Sequence, residues 1–105
     1  MGEAASQRYQ SFRDFYPYYL SEHSDRTCRR LHFVGTLLVI VTAVTALATG
    51  RLALLWLLPI LGYGFAWAGH FFFEHNKPAT FQYPFYSLIG DFRMFGEMLT
   101  GRIRF

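Results

Sequence analysis

The chain has 105 residues, 52% of them hydrophobic, 20% aromatic and only 16% charged, with a net charge of +3. A single domain this apolar lacks the polar residues to cover a water-soluble surface, and its basic residues flank apolar segments instead of forming a stripe, which points to phospholipid head groups and away from nucleic acid. The one cysteine, Cys28, excludes an internal disulfide and a cysteine-based zinc site.

Tyr9, Phe12, Tyr16, Tyr19 with Leu20, and His23 recur at three- and four-residue spacing. This pattern predicts an amphipathic helix over about residues 5–23, with an aromatic face suited to a membrane interface and a split at Pro17. Ser24, Asp25 and Thr27 then offer N-cap residue types for a new helix. The run Leu31 to Thr49 carries no formal charge and is long enough to cross a hydrocarbon layer of about 30 Å. Its length, and the second span that follows, are not those of a cleaved signal peptide. Gly50 and Arg51 form a turn, and Leu52 to Phe73 predicts a second span kinked at Pro59.

Asn76 to Pro84 predicts a loop. Phe85, Leu88, Ile89, Phe92, Phe95 and Leu99 predict another amphipathic, interfacial helix over about residues 85–100, with Asp91, Arg93 and Glu97 opposite its apolar stripe and Gly101 as its cap. The expected fold is therefore all-α and integral to a membrane. A single membrane domain over residues 1–105 forms a two-span helical hairpin flanked by interfacial amphipathic helices. Arginines precede the first span and follow the second, with only Arg51 between them, so both termini are expected on the cytoplasmic side, of a bacterial inner membrane or, in a eukaryote, of the endoplasmic reticulum. Two spans offer few surfaces on which to enclose a site, and a homo-oligomer is expected.

The hairpin brings histidines together. His32 lies eighteen residues before Gly50 and His70 twenty after it, or about 27 and 30 Å at 1.5 Å per residue, so both reach one depth. His32, Gly35, Thr36, Val39, Thr42 and Ala46 share one face of the first span, and Gly62, Ala66, His70 and Glu74 share one face of the second. Small residues of this kind let membrane helices approach closely. His23 is half a turn out of phase with His32, and a helix break at Ser24 and Asp25 would fold it back over the mouth of the hairpin. One histidine at a membrane boundary is an ordinary anchor. All four histidines at one boundary point to a metal held by His23, His32 and His70, with Glu74 as fourth ligand or support and His75 in reserve.

The stretches FYPYYLSEH (15–23), RRLHFVGT (29–36) and GYGFAWAGHFFFEHNKPATFQYPFYSLIGD (62–91) resemble the family of membrane 2-hydroxy-fatty-acid dioxygenases. The resemblance implies an Fe(II)-dependent dioxygenase that converts a long-chain 2-hydroxy fatty acid and dioxygen to the fatty acid one carbon shorter, in the bilayer. It carries His23, His32, Gly69, His70 and Glu74 over as motif residues. His75 and the short C-terminal region depart from the fungal members, so a second copy of the chain is expected to complete the pocket. Arg29 or Arg30 is expected to pair with the substrate carboxylate. The alternatives are a small metal-binding or scaffolding membrane protein without this activity, or a di-iron lipid hydroxylase.

Overall fold

Ser11 starts the first helix, α1 (Phe12–Ser21), where its Oγ accepts a hydrogen bond from the Asp14 N–H. The computed structural model describes residues 8–105, so residues 5–7 of the expected helix lie outside it. Pro17 sits within α1 without dividing it. The bond it removes would reach the carbonyl of Arg13, and both residues are on the exposed side, where water can replace it.

Asp25 caps the next helix, α2 (Arg26–Thr49), by accepting from the Cys28 N–H at 2.9 Å. The cap, not the onset of apolar residues, therefore sets the start, five residues earlier than hydropathy alone predicts. Gly50 ends α2 with φ +72°, a left-handed conformation that costs glycine nothing. The second long helix runs over Leu52–Glu74 in three parts. A 3-10 turn (Leu52–Trp56) leads into α3 (Leu57–Ala68), which continues as a π-helical segment (Gly69–Glu74). Pro59 lies in the first turn of α3, two residues after the change from 3-10 to α.

Both long helices are long and apolar enough to cross a membrane. Much of their apolar surface is uncovered by the chain itself, with Leu47 70% and Trp56 81% exposed. They meet through small residues. A Cβ on Gly35 would lie 2.8 Å from the Phe65 Cβ, and one on Gly69 would lie 3.1 Å from the Cys28 Cα. At these two points the backbones approach as closely as they can.

The last helix, α4 (Pro84–Leu99), follows a short 3-10 turn (Ala79–Phe81) within the expected loop and stops before Gly101, whose φ is +82°. Its buried face is not the apolar stripe. Ser87, Gly90, Met94 and Met98 pack inward, while Phe85, Leu88, Ile89, Phe92 and Leu99 are exposed. Asp91 turns inward with Ser87 and Gly90, on the side opposite the apolar stripe as its spacing predicts. α1 packs on this inner face. The Tyr16 hydroxyl donates to Glu97 and the Tyr19 hydroxyl to Asp91, and Phe15, Tyr16, Tyr19, Ala79, Tyr83, Met94 and Met98 form the core. Gly90 makes room for this contact, since a Cβ there would lie 2.9 Å from the Tyr19 ring. The molecule measures 49 × 28 × 25 Å. Its aromatic core and histidines lie at one end, with the Gly50 turn at the other.

Candidate metal centre

Three separate elements deliver one histidine each. His23 follows α1, stacked on Tyr19 with ring centroids 4.0 Å apart. His32 lies in the second turn of α2, and His70 is the second residue of the π-helical segment. All three are buried, and their ligand atoms lie within 4.8 Å of one another. The rings stand nearly perpendicular to each other, at 74° to 87°.

Each ring has its Nδ1 beside an oxygen. The Nδ1 of His23 lies 2.6 Å from the Tyr19 carbonyl, that of His32 lies 2.9 Å from the Cys28 carbonyl, and that of His70 lies 2.6 Å from the Asn76 Oδ1. Carbonyl oxygens only accept, so Nδ1 carries the proton in His23 and His32. The orientation of Asn76 is fixed as well, because its Nδ2 donates to the main-chain oxygen and to the carboxylate of Glu22. Its Oδ1 must therefore face His70, which donates in the same way. Every Nε2 is left with a bare lone pair. Burial, followed by the charge of the neighbouring imidazoles, pushes His23 well below the usual imidazole range, which opposes a second proton on that ring.

The Nε2 atoms of His23 and His32 are nevertheless 3.0 Å apart. Two lone pairs at that distance, with no proton to share between them, repel each other, and a cation between them turns the repulsion into coordination. The donor set thus fits a metal ion: three neutral imidazoles, each aimed by an outer hydrogen bond. Asn76 is the most exposed of these supports to test. Asn76→Ala should weaken metal affinity about 10–100-fold without removing a ligand, measured by competition with a chelator.

The other sequence candidates lie elsewhere. Glu74 is not among the clustered groups. Its carboxylate accepts from the Ser24 hydroxyl and the Asp25 N–H, both at 2.6 Å, so it clamps the end of the second long helix to the start of α2, where a negative charge is favoured. His75 is exposed and ends the π-helical segment in a left-handed conformation, φ 59°. Arg29 donates to the carbonyls of His23 and Ser24, which steadies the loop behind His23. Arg30 turns to the main-chain oxygen of Phe105. Neither arginine lines the cavities beside the histidines.

Those cavities show what sequence reasoning passed over. An outer cavity of about 280 Å³ runs from His32 past Thr36 and Val39 on α2, along Pro59, Gly62 and Tyr63, under Leu88 and Phe92 of α4. Its walls are mostly apolar, with His32, Thr36 and Asp91 among the polar exceptions. A water-sized inner chamber of about 10 Å³ is bounded by the three histidines, Tyr19, Ser87 and Asp91. Asp91 lines both spaces. Burial pushes its carboxyl up to about 7 despite the hydrogen bond from Tyr19, which acts the other way. The sequence signal for this face was the set Ser87, Gly90, Asp91 and Met94, at helical spacing between the apolar positions.

Comparison with known proteins identifies a family. Residues 9–103 match the family described as 2-hydroxy-palmitic acid dioxygenase Mpo1-like. No curated protein and no solved structure matches the chain.

Proposed function

Because the chain belongs to the 2-hydroxy-palmitic acid dioxygenase Mpo1-like family, we propose that it is an Fe(II)-dependent membrane dioxygenase that shortens long-chain 2-hydroxy fatty acids by one carbon. In the balanced reaction, R–CH(OH)–COOH and O2 give R–COOH, CO2 and water. The bond between the carboxyl carbon and C2 breaks, and C2 becomes the new carboxyl carbon.

The observation that carries this proposal is the placement of the three-histidine cluster beside a mostly apolar cavity, with His32 belonging to both. His23, His32 and His70 would hold the ion. A bound Fe(II) supplies the redox chemistry that lets dioxygen react with a closed-shell acid, whereas zinc, which suits the same donors, is redox inert. The residues of the chain do the rest. Tyr19, Cys28 and Asn76 keep each imidazole in the tautomer that presents Nε2. The cavity walls from Val39 to His32 cover about 10 Å of helix at 1.5 Å per residue, enough for the first part of an acyl chain, and they exclude water from the head group. The remainder of the chain would pass between Leu88, Phe92 and Leu58 into lipid.

Such a substrate calls for a membrane. The exposed apolar surface of the two long helices supports a two-span hairpin with α1 and α4 at the interface, and the arginine distribution supports a cytoplasmic site. Glu74 and the arginines act in this scheme as braces of the site. One chain supplies both the histidines and the cavity used in this scheme.

The test is a reaction under oxygen of Fe(II)-loaded protein with 2-hydroxyhexadecanoate, read by mass. Pentadecanoate is the expected product. A doubly hydroxylated C16 acid, or unchanged substrate with metal bound and the fold intact, would refute the proposal.

A further inference from the structure

Ser87 and Asp91 stand one turn apart on the inner face of α4 and have no part in holding the histidines. The Ser87 Oγ is buried, 2% exposed as a residue, and has no hydrogen-bond partner among the described residues. A buried hydroxyl left unpaired is costly, and native structures rarely tolerate one without a ligand or water to satisfy it. It borders the inner chamber together with His23, His32 and His70. Asp91 uses one carboxylate oxygen as the acceptor for Tyr19, and the other has no hydrogen bond among the described residues. It stands where the inner chamber meets the outer cavity.

We propose that Ser87 and Asp91 read the two polar groups of a 2-hydroxy acid, with Ser87 donating to the carboxylate and the free oxygen of Asp91 accepting from the 2-hydroxyl. The assignment builds on the proposed function and follows from donor and acceptor capacity. A hydroxyl with no partner can donate to a carboxylate. A carboxylate oxygen faces an alcohol O–H favourably and another carboxylate unfavourably. Tyr19 prevents Asp91 from rotating, and Gly90 lets Tyr19 lie flat against α4 to do so, with its ring within 3.2 Å of the position a Cβ would take. The same Tyr19 stacks on His23, so the group that reads the 2-hydroxyl is keyed to the metal cluster through one side chain. Selection of the hydroxylated acid over the plain acid then resides partly in α4, outside the histidines.

Binding to the zinc-loaded protein separates recognition from turnover. Titration calorimetry in detergent micelles would compare 2-hydroxyhexadecanoate with hexadecanoate for the wild type, Asp91→Asn and Ser87→Ala, with metal content measured for each. Asparagine still accepts from Tyr19 but can turn an N–H toward the substrate. Asp91→Asn should therefore lose about 10-fold of the preference for the hydroxy acid while its affinity for hexadecanoate changes less than about twofold. Ser87→Ala should weaken both acids about 10-fold and leave the preference unchanged. A variant that only loosened the fold would lose metal and both acids together, and that pattern would count against the assignment. In wild-type protein, 2-methoxyhexadecanoate, which has no O–H to donate, should bind no better than hexadecanoate, whatever the variants do. Full preference retained in Asp91→Asn, or unchanged affinities in Ser87→Ala, overturns the assignment while leaving the proposed reaction standing. Failure of the wild type to bind the hydroxy acid overturns both.

Discussion

His32→Ala is expected to leave a folded protein that no longer retains metal and turns over no 2-hydroxy acid. His32 is the histidine shared by the cluster and the outer cavity, and its Nε2 is 3.0 Å from that of His23. Loss of an outer support alone weakens metal sites about 10–100-fold, so loss of a ligand should exceed about 100-fold in affinity. His23→Ala and His70→Ala should behave alike, because the three donors lie within 4.8 Å of each other and act as a set. His75→Ala should retain full metal, as His75 is exposed outside the cluster. Glu74→Gln should show a smaller loss, since an amide oxygen can still accept from Ser24 or Asp25. Metal analysis of the purified series, beside circular dichroism for helix content, gives the readout. Equal losses at all four histidines would show that the cluster is not the binding site.

Gly69→Val should destroy the centre although it removes no ligand. A Cβ at this position meets Cys28 at Sγ (3.0 Å), Cα (3.1 Å) and the carbonyl oxygen (3.3 Å). Two of those atoms are backbone and cannot swing away. That same Cys28 carbonyl holds the Nδ1 of His32, and the next residue after Gly69 is His70, so any separation of the two helices parts two ligands at once. Overpacking at such a contact costs about 1–3 kcal/mol, and here the strain falls on the metal geometry first. The expected result is metal occupancy near background with most helix content kept. Gly64→Ala is the control, as nothing lies within 4 Å of a Cβ there. Wild-type metal content in Gly69→Val would mean that the helix contact does not set the ligand positions.

Sequence spacing carries far in this chain where geometry is one-dimensional. The depth of His32 and His70 follows from counting along two helices from Gly50, and the break before α2 follows from Asp25, whose side chain can cap a helix but not continue the preceding one into register with His32. Small residues at Gly35, Gly62 and Ala66 mark the faces that meet. What spacing cannot carry is direction. The stripe Phe85, Leu88, Phe92, Leu99 is evident, but only the surroundings decide whether an apolar stripe faces the protein or the lipid, and α4 turns it outward. Asp91 lies opposite that stripe as expected, but spacing does not tell that this side meets Tyr19 and the histidines. Glu74 lies one turn from His70, yet the π-helical segment ends beside the start of α2 and the carboxylate meets two donors there. The role of Asn76 depends on a loop that reverses past His75, a tertiary contact with no periodic signature.

The central claim is that one chain holds one metal ion through three imidazoles. X-ray absorption at the iron edge of anaerobically Fe(II)-loaded protein tests it most directly. The account predicts about one iron per chain, a first shell whose imidazole scattering fits three histidines, and a change in that shell on adding 2-hydroxyhexadecanoate but not hexadecanoate. Iron–iron scattering at about 3.5–4 Å, the spacing of two-metal sites, would contradict it in favour of a di-iron centre shared between chains.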